Sequence, residues 1–277
     1  MPNNLISAVR SWSRNTLAEA RAAIKLHYST KLGVLGIMKN EAMNLDEWVE
    51  HYLWMGAGKI YLIDNGSTDD TVAKAQAWVT KGRVELVEYP ERHRQREHYW
   101  QAFQHFRIDR TCEWLLVADL DEFWFCPGGD SLVTALQEFK IYEVIYANWT
   151  MFGSSGHVDH PQSVREAFTW RRRGTASHLY TKYMFRTARA KTAKAIDVHK
   201  FFGADSSRTV SDGSRFQINH YQNQSLDYFR SVKMVRGDCY YPDKDRARDL
   251  AEFHASNEGC DQQDLQLANL VAAARKP

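Results

Sequence analysis

Four short apolar runs, Leu32 to Met38, Lys59 to Ile63, Val84 to Tyr89 and Trp114 to Ala118, alternate with stretches of helical periodicity near Leu45 to Met55, Thr68 to Val79 and Gln95 to Phe106. Strands separated by helices require crossover connections, so the expected fold is α/β, with a mostly parallel central sheet flanked by helices. In an open sheet of that kind, ligands bind beyond the carboxyl ends of the strands. Past residue 130 the pattern loosens. Ser131 to Phe139 reads as helix, Val144 to Trp149 as a buried strand, and Phe152-Gly153-Ser154-Ser155-Gly156 as a loop. Residues 157–215, rich in Arg, Lys, His and Ser, read as irregular connections with short strands. Leu226 to Val235 and Asp245 to Ala255 read as closing helices.

Composition narrows the class. A chain of 277 residues with 44% hydrophobic and 25% charged residues is neither wholly disordered nor a disulfide-stapled miniprotein. Its net charge of +2 is too balanced for a general polyanion binder, so nucleic acid is not an expected partner. Cys112, Cys126, Cys239 and Cys260 form neither a CxxC pair nor a zinc-finger spacing, which favours a reducing compartment. No run approaches the roughly 18 apolar residues of a membrane span, and the first residues lack the apolar stretch of a secretory signal, so a cytoplasmic location is expected. Five basic residues against Glu19 alone give residues 1–31 a net charge of +4, leaving −2 for the remainder. Leu5, Val9, Trp12 and Thr16, with Leu17, Ala20 and Ile24, follow helical spacing there. A basic amphipathic helix of this kind either packs on the domain or lies on an anionic membrane surface, peripheral to the inner face.

Two segments carry chemistry. In Trp114 to Phe123 an apolar strand runs straight into Asp119-Leu120-Asp121-Glu122. At a strand end, a loop can turn Asp119 and Asp121 toward one point, where carboxylate oxygens hold Mg²⁺ or Mn²⁺ and the metal suits a bound diphosphate. In Ile60 to Thr71 a carboxylate, Asp64, closes a strand and is followed by a glycine turn and a helix start. That is a place for a nucleoside, whose imide or ribose Asp64 would accept. Each segment alone is also an ordinary acidic turn or strand–turn–helix junction.

The ordered set Lys39-Asn40-Glu41, Glu47-Trp48, His51, Ile63 to Asp69 and Asp119-Leu120-Asp121-Glu122-Phe123 resembles the nucleotide-sugar half of GT-A glycosyltransferases. Trp149 with the 152–156 loop, and Asn219-His220-Tyr221 followed by Ser225, Phe229, Lys233, Arg236 and Gly237, resemble family 92 and the related family 2-like branch. The resemblance covers roughly residues 32–238 and divides the chain into a basic helix (1–31), a GT-A domain (32–238) and a helical extension (239–277). It implies a Rossmann-like sheet and metal-dependent transfer of a hexose from a nucleoside diphosphate donor, UDP-linked, to a saccharide or lipid-linked glycan acceptor in cell-surface polysaccharide synthesis. It further implies donor contacts from Asn40, Glu41, Asp64 and Asp119, and a metal held by Asp119 and Asp121 with a later histidine, His220 or His199. Lys233 and Arg236, three apart on one helical face, suit the diphosphate. Trp149 is the acceptor platform. Inverting transfer needs a carboxylate base against the acceptor hydroxyl, and Glu166 and Asp197 are its candidates. A nucleotidyltransferase on sugar phosphates would want the same paired carboxylates, and a noncatalytic saccharide-binding module would keep the aromatics without the metal.

Overall fold

The computed structural model of the chain describes residues 28–175, 181–237 and 248–275. The strands are β1 (Thr30–Met38), β2 (Lys59–Asp64), β3 (Val84–Glu88), β4 (Cys112–Val117), β5 (Glu122–Phe125), β6 (Val144–Met151), β7 (Trp170–Arg171), β8 (Thr181–Arg186), β9 (Thr209–Ser211), β10 (Gln217–His220) and β11 (Gln262–Gln263). Helices α1 (Leu45–Trp54), α2 (Thr71–Thr80) and α3 (Gln95–His105) separate the first four strands, and α4 (Leu250–Asn257) and α5 (Gln266–Ala274) close the chain.

The sheet runs β3-β2-β1-β4-β8-β6-β10-β5, with β9 preceding β10 along β6. β3, β2, β1 and β4 are mutually parallel, as the crossover helices require. β8 is antiparallel to β4 and β6, and β5 is antiparallel to β10. Alternate residues of β4 feed opposite faces: Trp114 and Leu116 enter one core with Trp48 and Leu62, while Leu115 and Val117 enter another with Tyr61 and Tyr99. Helix α1 comes so close to β1 that a Cβ on Gly36 would lie 3.0 Å from the Trp48 ring and 3.2 Å from the Ala118 carbonyl, so a larger residue would have to push a neighbour aside.

The expected strands and helices of the first half are present, with one shift. α2 starts at Thr71 rather than Thr68, because Asn40 holds Ser67 and Thr68 outside the helix and Asp69 accepts from the Thr71 amide. In the second half β8 is a six-residue strand at the sheet's centre, within the stretch expected to combine irregular connections with short strands. β5 follows directly on the acidic residues that read as loop. Ser131 to Phe139 is one α-helical turn, capped by the Ser131 hydroxyl, continuing as a 3₁₀ turn. Leu226 to Lys233 is a short α turn followed by a π-helical stretch. The expected N-terminal helix falls almost wholly within residues 1–27, outside the described residues, and Thr30 and Lys31 already belong to β1. No described helix is long and apolar enough to cross a membrane.

Candidate active site

Beyond the carboxyl ends of β1, β2 and β4 lies a cleft of about 320 Å³. Asp119 and Asp121 from the β4–β5 connection form its acidic floor, and Met38, Glu41 and Asn65, Trp149, Asp197 and His199, and His220, Lys233 and Arg236 complete the lining. The acidic floor is fixed from behind by α1. Trp48, His51 and Tyr52 share a face of that helix and hydrogen-bond the backbone carbonyls of Asp119 (2.9 Å), Trp124 (2.8 Å) and Glu122 (2.9 Å). Three side chains from one helix thus set the path of the segment that carries the carboxylates.

Asp119 and Asp121 are paired with different cations. Lys182 of β8 is fully buried and places its ammonium 2.8 Å from Asp119 Oδ2 and 3.6 Å from Glu122 Oε1. Lys233 places its ammonium 2.6 Å from Asp121 Oδ2, and His220 Nε2 stands 3.5 Å from Asp121 Oδ1. Burial pushes the Asp119 and Asp121 carboxyls up, but Lys182 at the first and Lys233 with His220 at the second outweigh it, and both end below their ordinary value. Glu122 ends well above its ordinary value, because burial and the two neighbouring aspartates exceed the pull of Lys182. Asp121, Glu122 and His220 each offer a ligand atom within 4.8 Å of the others. Glu122 Oε1 and His220 Nδ1 are buried and make no hydrogen bond among the described residues. Two carboxylates and an imidazole with unused lone pairs fit a divalent cation, and the mixed O and N set suits Mn²⁺ better than Mg²⁺.

The residues singled out in the sequence separate into two groups. Asp119, Asp121, Trp149, Asp197, His199, His220, Lys233, Arg236 and Glu41 all line the cleft. Asp64 is not itself on the lining but stands beside Met38 and Asn65, which are: it pairs with Met38 across the sheet, its Oδ2 accepts the Gly66 and Ser67 amides at 3.0 Å, and its buried Oδ1 makes no hydrogen bond among the described residues. Asn40 is not on the lining. Its side chain accepts the Thr68 amide at 2.8 Å, so it ties two loops together rather than facing a donor. Both oxygens of Glu41 are occupied, by Arg236 on one side and by Tyr228 and Asn44 at 2.9 Å on the other, so it anchors Arg236. His199 offers Nδ1 to the Thr181 carbonyl at 3.0 Å and stands outside the metal-ligand cluster, and Asp119 is held by Lys182; Glu122 takes the place expected of them. Glu166 is off the cleft, 2.5 Å from Arg275, the residue just past the last helix. Asp197 is on it, its Oδ2 2.9 Å from Arg96. The indole of Trp149 packs 4.1 Å from the His220 ring and 5.2 Å from that of His199.

Sequence reasoning missed Lys182 and Glu122. The signal for Lys182 was a single cation inside an otherwise apolar, aromatic run, Thr181-Lys182-Tyr183-Met184-Phe185, since a lysine in a buried strand requires an anion opposite it. Glu122 lies inside the acidic motif, but its spacing gives no sign that it turns inward, since it is the first residue of β5.

A family model, Glycosyltransferase family 92, matches residues 36–257, and the chain belongs to that family. Curated relatives include family 92 proteins of Oryza sativa subsp. japonica (25% identical over 215 residues, 76% of this chain and 36% of that one) and Ricinus communis (26% over 223 residues, 73% and 36%). A galactan beta-1,4-galactosyltransferase of Arabidopsis thaliana, GALS1, is 24% identical over 108 residues, 36% of this chain and 22% of that one. The chain thus spans little more than a third of the length of the family 92 relatives first named. Among solved structures, S. aureus TarS 1–349 superposes with a TM-score of 0.45 at 12% identity, covering 89% of this chain and 73% of that one. The sheet whose first half is parallel, with crossover helices between its strands, is the α/β architecture that the family resemblance implied.

Proposed function

We propose that the chain is the catalytic domain of a metal-dependent glycosyltransferase that moves a hexose from a UDP-linked donor to a saccharide or lipid-linked glycan acceptor, with inversion, in cell-surface polysaccharide synthesis. One observation carries the reading: Asp121 brings a carboxylate, an imidazole and an ammonium together on the floor of a cleft at the strand ends. Glycosyl transfer from such a donor needs a bound nucleoside, neutralisation of the leaving diphosphate and an ionisable group at the acceptor hydroxyl. Asp64 Oδ1, buried and without a hydrogen bond among the described residues, supplies an acceptor for the nucleoside. Asp121, Glu122 and His220 would hold the divalent cation, which supplies charge neutralisation of the departing diphosphate. Trp149 offers an apolar face to a sugar ring, and Asp197, the one base candidate on the cleft, is assigned the proton of the attacking hydroxyl. Glu166 is not retained in that role, since it pairs with Arg275 away from the cleft.

The first test is calorimetric titration of UDP, with GDP as control, in the presence of Mn²⁺. UDP is expected to bind in preference to GDP, Asp121→Ala to lose the Mn²⁺-dependent gain, and Asp64→Asn to weaken UDP about ten-fold while leaving the loop hydrogen bonds available. Absence of binding to either nucleotide would sink the donor reading, and undiminished glycan binding in chelator would then favour the saccharide-binding module. Pyrophosphate release from a nucleoside triphosphate would instead identify a nucleotidyltransferase. For the basic segment 1–31 we propose peripheral attachment to the inner face of an anionic membrane from the cytoplasm, resting on its +4 charge. Unchanged liposome binding after deletion of residues 1–30 would remove it.

A further inference from the structure

The cations of the cleft differ in how much of their hydrogen-bonding capacity is already used. Lys182 is fully buried, off the cleft lining, and locked between Asp119 and Glu122. Arg236 is committed to the Glu41 carboxylate and, at 3.2 Å, to the Lys39 carbonyl. Lys233 is different. Its side chain is 2% exposed, the residue lines the cleft, and among the described residues its ammonium makes a single hydrogen bond, to Asp121. An ammonium carries three donors, so two remain unused among the described residues, at a buried position on the cleft lining. The backbone presents it deliberately: the Met234 amide reaches the Phe229 carbonyl at 2.9 Å, an i to i+5 bond that widens the last turn where Lys233 leaves it for Asp121. The Tyr228 ring lies 5.6 Å beneath the ammonium.

We propose that Lys233 is a built-in counter-charge for the donor diphosphate, so that the cleft binds a nucleoside diphosphate even without added metal. The proposal rests on the donor reading above. Asp121 Oδ2 fixes the ammonium head while Oδ1, on the His220 side, stays available to a divalent ion. Lys233 and the ion therefore act additively on the phosphates, one through two N–H donors and the other through charge on the far side of the same carboxylate.

The test is calorimetric titration of UDP into the full chain in EDTA and, separately, in Mn²⁺. Wild type is expected to bind measurably in EDTA. Lys233→Met should weaken that metal-free binding about ten- to hundred-fold, the range for a lost charge-assisted hydrogen bond, and Lys233→Arg should restore most of it. Because Lys233→Met leaves Asp121 buried without its partner, two further variants remove that ambiguity. Asp121→Asn frees the ammonium, so its EDTA affinity should equal or exceed that of wild type, although its Mn²⁺-dependent gain is lost. Asp121→Asn combined with Lys233→Met should bind about ten- to hundred-fold more weakly than Asp121→Asn in EDTA and gain nothing from Mn²⁺. UDP binding by wild type only in Mn²⁺ would overturn the proposal and leave the donor reading standing. Equal EDTA affinities for wild type and Lys233→Met would overturn it as well. No binding in either condition would take the donor reading down with it.

Discussion

His51 shows how one side chain can serve a site it never touches. It is fully buried between Tyr52, Trp54 and Phe123, and its Nε2–H donates to the Trp124 carbonyl at 2.8 Å. Burial, with the nearby charge of Arg165, lowers its pKa from 6.5 to about 3, the carbonyl bond opposing only in part. The unfolded chain therefore takes up a proton near pH 6.5 that the folded chain refuses until about 3, and the stability tied to this residue is complete above 6.5 and declines as pH falls through that window. The urea midpoint should accordingly fall between pH 7 and 5, and His51→Gln, less stable overall, should show a shallower fall over the same range. An equal slope in both proteins would contradict this account. The position of His51 was visible in the sequence through the family pattern, but its partner was not, because spacing records which residues share a helix face and not what lies across from it. The same limit applies to Glu166 and Asp197, two acidic residues of comparable local context that the fold sends to different surfaces.

At the scale of elements, α1 has two tasks on neighbouring faces. One face holds the acidic segment by its carbonyls; from the other Glu47 reaches the helical turn Val164–Ala167. Glu47 accepts from the Ser163 hydroxyl and the Val164 amide at 2.6 Å and pairs with Arg165 at 2.8 Å, all nearly out of water. Removing one partner of a buried, hydrogen-bonded pair costs about 3–5 kcal/mol, so Glu47→Ala should lower unfolding free energy by that order in denaturant titration. UDP affinity should survive in the fraction that remains folded, since Glu47 is not on the cleft. The regular βα alternation up to residue 117 could be read from periodicity, because each element there buries a face of its own. Past that point legibility failed where strands are defined by partners distant in sequence. β5 and β10 pair across some ninety residues, and β8 exists as a strand because β4 and β6 flank it.

Across the whole molecule, the family match ends at residue 257, yet the chain beyond it is part of the same body. Leu267 and Val271 of α5 enter the core that contains Trp48 and Trp114, β11 pairs with β7, and Asp264 meets Arg171 at 2.8 Å. The division at 239–277 into a helical extension is thus a division of sequence pattern rather than of packing. Burying two such side chains contributes about 3–6 kcal/mol, so truncation after residue 261 should lower the thermal midpoint sharply. A truncated chain with an unchanged midpoint would show the last helix to be dispensable.

The sheet order also dictates a sequence of assembly. β4 ends at residue 117, but the strand that covers its edge, β8, ends only at residue 186, after β5 and β6 have been made. During synthesis the ribosome therefore releases a half-sheet whose exposed edge is apolar Trp114-Leu115-Leu116-Val117, and it stays open for some seventy residues of elongation. For that interval the nascent chain is a template for any extended strand nearby. When β8 arrives it closes the edge and, through Lys182, delivers the cation to Asp119 in the same event, so the acidic floor acquires its charge balance only once the aggregation-prone edge is gone.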